Sequence, residues 1–248
     1  MIRKTALALL LAAAGVNAHA ALNTGDIAFT GFNADFDHWS IVTNVDIAAN
    51  TTIYFGDNEW TGSKWADTNE HTMAWNTGTS VIKAGTVILF TENVDLNPDV
   101  ISASVGTLSL AAGTGSNYGI SASDDTIYAF LGSSAAAPTT FLAGLTTESS
   151  ATNLTNAGLT VGSTAVKLTN STDFAQYTGL RNDKASFAEY ASVANNAANW
   201  NIIIGGDQSA QVIDTTAFTL AVPEPKSYAM LFAGLGLMGA IARRRTRR

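Results

Sequence analysis

Acidic side chains in two short segments have the chemistry of a site for a hard metal ion. Asp35 and Asp37 lie in the sequence NADFDH, and Asp57 and Glu59 lie in GDNEW. Ca²⁺ takes about six to eight oxygen ligands, so these carboxylates are candidate ligands if the two segments meet at one end of the fold. The D-x-D-x-D-G order of a calcium loop is absent, and Asp and Asn also stabilise turns by bonding their own backbone. Turn formation therefore stays the alternative role of these residues.

Patterns for zinc binding and nucleophilic catalysis are absent from the sequence. Only His38 and His71 follow residue 20, so a three-histidine zinc site is impossible, and NEHTMAW lacks the H-E-x-x-H order. No G-x-S-x-G motif marks a catalytic serine. A glycosidase needs two carboxylates at a set separation, and the many acidic residues supply pairs that the sequence does not place. We therefore expect no catalytic residues and a protein that is not an enzyme.

Tryptophans cluster in the polar stretch WTGSKWADTNEHTMAW, which runs from Trp60 through Trp65 to Trp75. Flat aromatic faces bordered by acidic and amide groups could stack on sugar rings. Trp is also the bulkiest core residue, so packing inside the fold is the alternative. We take Trp60 and Trp65 as candidate ligand-binding residues, and we predict that Trp75 and Trp200 lie in the core.

The charge of the chain is unevenly distributed. Of the 13 Lys and Arg residues only five lie between residues 21 and 222, whereas 19 of the 20 Asp and Glu residues lie there, which gives this region a net charge of −14. Nucleic-acid affinity comes largely from Lys and Arg that displace counterions, so nucleic acid is not an expected partner. Strong acidity keeps an exported protein soluble and attracts divalent cations. Since the chain has no cysteine, stability must come from its core.

The elements that position these residues are mainly β-strands. Runs of β-branched and aromatic residues bounded by Asn, Asp and Gly predict strands. They cover residues 26–32, 39–47, 51–55, 86–91, 105–110, 126–131, 165–168, 202–204 and 217–220. About nine short strands joined by turns indicate an antiparallel β-sandwich, which we take as one domain with long loops.

One short helix is predicted within NDKASFAEYASVANNAANW, where Phe187, Tyr190, Ala191 and Ala194 recur at three- and four-residue steps. Its N-cap would be the Asn or Asp at positions 182 and 183. Residues 135–140 and 146–164 are predicted to be the loosest segments of the chain.

The first 20 residues have the pattern of a secretory signal peptide. Arg3 and Lys4 precede an apolar stretch over residues 6–14, which is too short for a bilayer span of about 20 residues. The small residues Ala18 and Ala20 mark a cleavage site before Ala21. The Sec export machinery and a signal peptidase are therefore expected partners.

The other end of the chain has three ordered parts. A Pro-Glu-Pro tripeptide precedes an uncharged run over residues 228–242, predicted to be a short transmembrane helix, and an arginine cluster follows. Such a cluster holds its end of a membrane helix in the cytoplasm. The cluster comprises Arg243, Arg244, Arg245, Arg247 and Arg248. GLGLMG within the run matches G-x-G-x-x-G, but no strand precedes it and too little chain follows for a dinucleotide site.

Residues 223–248 resemble the PEP-CTERM sorting signal of exported bacterial proteins, with Pro223, Glu224 and Pro225 as the sorting motif. The resemblance implies recognition by an exosortase, a membrane enzyme that cuts near this motif. It also implies a Gram-negative bacterium, often one that makes exopolysaccharide. The chain would be anchored transiently in the inner membrane with its C-terminus in the cytoplasm, and would then reach the cell surface or the exterior.

A second resemblance concerns the start of the mature region. Gly25-Asp26-Ile27, the loop at residues 32–35 and NTTIYFGDNEW at residues 50–60 resemble the opening of lamin-tail-like domains. SDDTIYAFLGS and the ANW before residue 201 resemble later strands of the same kind. The resemblance implies an Ig-like β-sandwich that serves as a binding or structural module.

These features predict three regions: a signal peptide over residues 1–20, an exported domain over 21–222 and a sorting signal over 223–248. For the exported domain, the expected function is a non-catalytic binding or structural role in extracellular polysaccharide or biofilm. The alternative is an extracellular hydrolase that acts on polysaccharide through carboxylates that the sequence cannot place.

Overall fold

A computed structural model describes residues 21–93, 100–113, 119–222 and 225–245. The predicted signal peptide lies outside the described residues, as do Pro223, Glu224, Arg247 and Arg248.

Twelve strands form the framework of the described chain. In order they are β1 (Ile27–Asn33), β2 (His38–Thr43), β3 (Thr52–Gly56), β4 (Thr72–Asn76), β5 (Val87–Asn93), β6 (Val100–Ala103), β7 (Thr107–Ala112), β8 (Thr126–Ser134), β9 (Ala137–Thr146), β10 (Ala165–Lys167), β11 (Thr172–Tyr177) and β12 (Trp200–Ile204). They form two six-stranded sheets with the orders β12-β11-β1-β2-β5-β6 and β10-β9-β8-β3-β4-β7. Neighbouring strands are antiparallel except β9 and β10, which are parallel.

Aromatic residues fill the space between the two sheets. Phe29 of β1 meets Phe55 of β3 with ring centroids 6.4 Å apart, and Phe55 lies 4.7 Å from Phe90 of β5. Trp39 stacks on Phe90, and the Trp75 ring meets the same phenylalanine edge-on. All five side chains are buried. Since alternate residues of a strand point to opposite faces, this facing pattern is that of a β-sandwich core.

Short helices pack on both sheets, and an extended segment packs on the first. Helix α1 (Thr152–Asn156) contacts β9 of the second sheet, whereas α2 (Ala188–Ala194), which is followed by a 3₁₀ turn (Ala197–Asn199), packs on β1 of the first sheet. Residues 205–222, called here the C-terminal strap, bury Ile213 and Phe218. Phe218 stacks on Tyr177 at 5.5 Å and lies under the Arg181 guanidinium at 4.9 Å from its ring centroid. With both faces covered, every residue of β1 is buried.

Much of the predicted architecture is confirmed, but the predictions for some segments were wrong. The chain is mainly β, with two sheets and few short helices, as a β-sandwich requires. The sheets are not wholly antiparallel, because β10 pairs in parallel with β9. Residues 217–220 are not a strand: Leu220 forms an isolated bridge with Lys184, and the N–H groups of Phe218 and Thr219 bond single carbonyls. The predicted helix begins later than expected, at Ala188, and no side chain caps it.

Four strands were missed by the sequence patterns, namely β4, β6, β9 and β11. Residues 135–140, expected to be loose, form the turn and the start of the hairpin between β8 and β9. The second segment expected to be loose, residues 146–164, contains α1.

The C-terminal helix α3 (Pro225–Arg245) contains the predicted membrane span over residues 228–242. Among the described residues, no helix has the length and apolar character that crossing a bilayer demands. The uncharged stretch of α3 is bounded by Lys226 on one side and by Arg243 on the other. The predicted transmembrane character of this segment is therefore not confirmed.

Candidate functional site

An open cleft lies where three chain segments meet at one end of the sandwich. The segments are the turn from β1 to β2, the loop from β3 to β4 and the residues before β8. The cleft has a volume of about 460 Å³. Its lining includes the six carboxylates of Asp35, Asp37, Glu59, Glu70, Asp124 and Asp125, and no Lys or Arg among the described residues.

Three of the aspartates in the cleft accept hydrogen bonds that fix the positions of their loops. The Asp35 carboxylate accepts a hydrogen bond from the Gln208 backbone N–H at 2.6 Å. Asp125 accepts bonds from the backbone N–H groups of Ser121 and Thr126, and Asp124 accepts one from the Asn170 amide. Only the bonds of Asp125 are the local kind by which aspartate favours turns, whereas Asp35 and Asp124 each join their loop to a distant segment of the chain.

Close packing brings Asp37 to the wall of the cleft. Asp37 itself has a positive φ of 52°. Gly119, also at positive φ, lies against it so closely that an added Cβ would collide with the Asp37 carboxylate. A glycine is therefore required at position 119 both for its conformation and for its lack of a side chain.

Glu59, Asp67 and Glu70 form a tighter group on the loop from β3 to β4. One carboxylate oxygen from each lies within 4.8 Å of the others. The Ala66 N–H donates to the Glu59 carbonyl at 2.8 Å, which joins the two sides of the loop. The Asn58 side chain bonds both the N–H and the carbonyl of Glu70 at 3.3 Å. One backbone bond and two bonds of the Asn58 side chain thus hold the three carboxyl groups together.

A cluster of buried polar side chains lies beneath the cleft. Asp57, His71, Glu92 and Trp39 line a cavity of about 10 Å³, about the size that one water molecule needs. This cavity and the cleft share Ile120 in their walls. The Asp57 Oδ1 and the Trp39 Nε1 have no hydrogen-bond partner within the described part of the chain.

Burial sets the protonation of these groups. Desolvation raises the pKa of Asp57 to about 9, with added repulsion from Asp125, Glu70 and Glu92. Burial raises the pKa of Glu92 to about 8 and lowers that of His71. The Nδ1 of His71 and the Oε1 of Glu92 lie 2.6 Å apart, and burial shifts both pKa values in the direction that favours the uncharged form of each group.

The carboxylates at the cleft surface are also perturbed. Burial is the largest cause of the raised pKa of Asp125, about 6, and backbone N–H bonds from Ser121 and Thr126 oppose it. Burial also raises the pKa of Glu59, and repulsion from Asp67 and Glu148 raises it further. The cleft is therefore a place where negative charge is crowded and costly.

Trp60 and Trp65 lie beside the cleft and are both half-buried. Their rings meet edge to face at 4.9 Å, and both pack on Phe141 of β9, at 5.3 Å and 6.0 Å. Trp65 also packs on Tyr128 and Phe130 of β8. Their faces are largely taken up by one another and by the outer face of the second sheet, so the structure does not present them as an open platform for sugars.

The two tryptophans predicted to lie in the core do so. Trp75 is fully buried and donates its indole N–H to the Val105 carbonyl at 2.7 Å. Trp200 is buried and donates to the Ala194 carbonyl at 2.7 Å.

The structure brings together three of the four acidic residues singled out from the sequence. Asp35, Asp37 and Glu59 line the cleft, whereas Asp57 lies below it in the closed cavity. Sequence reasoning missed five acidic residues, namely Asp67, Glu70, Glu92, Asp124 and Asp125. The one signal available in the sequence was the position of Asp124 and Asp125 directly before the strand predicted at residue 126. They flank a strand, as Asp57 does directly after β3.

Comparisons with known proteins bear on the tail of the chain. No curated protein and no solved structure matches the sequence or the fold. The resemblance to lamin-tail-like domains, and the Ig-like topology that it implies, are therefore not confirmed. Residues 221–248 match the PEP-CTERM protein-sorting motif. This motif implies an exported protein that is sorted by an exosortase to the cell surface or the exterior.

Proposed function

We propose that the folded body of this exported protein is a non-catalytic module that binds extracellular polysaccharide of a biofilm matrix in its acidic cleft. The observation that carries the proposal is the set of six carboxylates around an open cleft with no Lys or Arg in its described lining. Carboxylates only accept hydrogen bonds, and sugar hydroxyls donate them, so each contact is charge-assisted. The sorting motif supports the proposal because it implies the location where such polymers occur.

Retention of the protein on immobilised polysaccharide from the producing bacterium tests this role. The double variant Asp37→Asn with Asp124→Asn removes two charges from the cleft and keeps the size of both side chains. We expect at least tenfold weaker retention, because amide oxygens are weaker acceptors than carboxylates. The control is Glu189→Gln with Asp207→Asn, which removes two exposed charges outside the cleft lining. Equal retention of both variants would contradict a role for the cleft.

Trp60→Ala and Trp65→Ala test the stacking hypothesis drawn from the sequence. Because both rings pack on Phe141, we expect these variants to lose stability. Loss of retention without loss of stability would instead restore the sugar-stacking role.

A polysaccharide hydrolase is the second candidate, and one observation favours it. Asp125 has a pKa near 6 beside other carboxylates, as a general acid requires. Both of its oxygens, however, accept backbone N–H bonds. Release of reducing ends by the purified protein, abolished by Asp125→Asn with the fold intact, would establish the hydrolase. Lack of turnover over a broad panel of polysaccharides would leave the binding module.

Processing of the tail is part of the proposal. We propose that residues 228–242 anchor the protein transiently in the inner membrane and that the chain is cleaved near Pro223-Glu224-Pro225. The intact mass of the protein recovered from cells is expected to show loss of the C-terminal tail and of residues 1–20. A mass that retains α3 would contradict cleavage at the motif.

A further inference from the structure

The C-terminal strap ends in an extended segment that pairs with the loop before α2. Three of its backbone N–H groups donate to carbonyls of the body, from Phe218 to Gly85 at 2.8 Å, from Thr219 to Arg181 at 2.7 Å and from Ala221 to Lys184 at 2.8 Å. Leu220 and Lys184 also form a parallel bridge. Backbone pairing therefore holds the chain up to Ala221, two residues before the sorting motif begins at Pro223.

The hydroxyl of Tyr190 joins the two sides of this pairing. Tyr190 lies in α2 and is fully buried, and its hydroxyl donates to the Thr219 carbonyl at 2.8 Å. The same oxygen accepts bonds from the N–H groups of Asp183 at 2.9 Å and Lys184 at 3.2 Å. One side chain thus bonds both the strap and the loop against which it lies, and a buried hydroxyl with three partners is costly to remove.

Arg181, the one arginine between residues 21 and 222, holds the strap from the same loop. Its guanidinium donates to the Thr216 carbonyl at 2.6 Å, pairs with Asp214 at 3.3 Å and lies over the Phe218 ring. Phe218 is buried, as is Ile213 earlier in the strap. The strap is therefore a part of the folded body and not a free linker to α3.

Exposure changes where the strap ends. Val222 is 85% exposed, whereas Phe218 is 2% exposed and the N–H of Ala221 is bonded to the body. A protease binds its substrate as an extended segment whose backbone groups are free, so a segment that is already paired with the body can be cut only after it opens locally. The backbone bonds that protect the strap in this way reach as far as Ala221.

We propose that the docked strap sets the upstream limit of tail processing, so that cleavage occurs beyond Ala221 and the mature protein keeps the whole strap. The inference rests on the cleavage near the sorting motif proposed above, and it adds the part of the body that controls where the cut falls. In that step one peptide C–N bond breaks, the carbonyl carbon gains a hydroxyl from water, and the leaving nitrogen gains the other hydrogen and departs with α3. A cut upstream of Phe218 would instead remove a buried side chain from the cover of the first sheet.

Proteolysis of the purified full-length protein with proteinase K tests this limit without the sorting enzyme. Mass spectrometry of the early products is expected to show cuts beyond Ala221, with cuts between Ile213 and Ala221 at least about tenfold slower. Tyr190→Phe is expected to speed these inner cuts about tenfold, because the strap loses its bond from the hydroxyl. Tyr54→Phe, which removes a hydroxyl from β3 of the second sheet, is the matched control and is expected to behave like the original protein. Equal rates on the two sides of Ala221 in the original protein, or equal rates for the two variants, would overturn the proposal.

Hydrogen exchange of the original protein keeps the proposal testable if Tyr190→Phe folds poorly. The amides of Phe218, Thr219 and Ala221 donate to the body, so they are expected to exchange at least about tenfold more slowly than amides of an unfolded peptide. Exchange at the rate of an unfolded peptide would show that the strap is not docked, and the limit would then have no basis.

The intact mass of the protein recovered from cells separates this limit from processing itself. The original protein is expected to end beyond Ala221. Arg181→Met combined with Tyr190→Phe is expected to add chains that end between Ile213 and Ala221, because the strap is released. Identical C-termini for the original protein and the double variant would contradict the role of the strap. A mass that retains α3 would refute the cleavage and with it the limit, and protection of the strap from proteinase K would then place the failure in processing rather than in docking.

Discussion

Replacing Asp57 with asparagine is expected to stabilise the metal-free protein, and to do so increasingly as the pH rises. Burial is the main reason why the folded pKa of Asp57 rises from 3.8 to about 9, with repulsion from Asp125, Glu70 and Glu92 added to it. Folding therefore takes up a proton at this carboxyl between these two pKa values. Stability from this group is fully present below the unfolded pKa and is lost as the pH rises through the folded pKa.

The size of the effect follows from the same shift. Each pH unit between the two pKa values is worth up to about 1.4 kcal/mol, so three units, from pH 5 to pH 8, amount to about 4 kcal/mol at most. Relaxation and water entry reduce such costs in real proteins, so we expect a gain of at least about 1 kcal/mol for Asp57→Asn over this range. Asparagine keeps the size of the side chain and has no proton to take up.

The assay is urea unfolding in EDTA at pH 5, 6.5 and 8. The difference in free energy of unfolding between Asp57→Asn and the original protein should grow at each step. Glu189→Gln, which removes one exposed carboxylate of α2, controls for the change in net charge. A difference that stays constant or shrinks with pH would show that Asp57 is ionised in the folded protein, and the burial argument would then be wrong.

Three further predictions concern the packing. Arg181→Met is expected to cost about 2 kcal/mol and to create protease cuts in the C-terminal strap, because the guanidinium bonds a strap carbonyl at 2.6 Å; cuts only elsewhere would contradict this. Gly31→Ala should cost about 2 kcal/mol through collision with Ile213 and the Ser40 hydroxyl, and the same change should cost less in an Ile213→Ala background, as denaturant unfolding would show. Trp75→Phe should cost about 1 kcal/mol more than Trp39→Phe, whose indole N–H has no described partner; equal losses would refute the reasoning.

The strands that the sequence revealed are those with the strongest local pattern. The strands β1, β3 and β5 are runs of β-branched and aromatic residues, and the side chains on at least one face of each strand are buried. β9 was missed because Pro138 and Gly144 interrupt its pattern, although the long pairing with β8 overrides both. Pairing between distant segments, which no local window contains, decided this strand.

The same distinction holds for the candidate site. Acidic residues at the ends of predicted strands could be recognised, since Asp and Asn mark turns. The sequence could not show which of these residues come together. Asn58 links the Glu59 segment to Glu70, and Asp37 meets Gly119 only because the loops pack at one end of the sandwich. The tryptophans illustrate the same limit. Their polar surroundings in the sequence suggested a sugar platform, and only the structure shows that Trp65 packs on β8 and β9.

The sequence by itself determined the destination, the charge and the class of the fold. The sorting motif is read as a linear pattern at the end of the chain, the net charge is a count, and strand content follows from local composition. The tertiary structure alone decided which carboxylates gather, which one is buried and protonated, and which aromatic rings are covered. These properties depend on distances between residues far apart in the chain, and such distances are fixed only when the two sheets and their loops have packed.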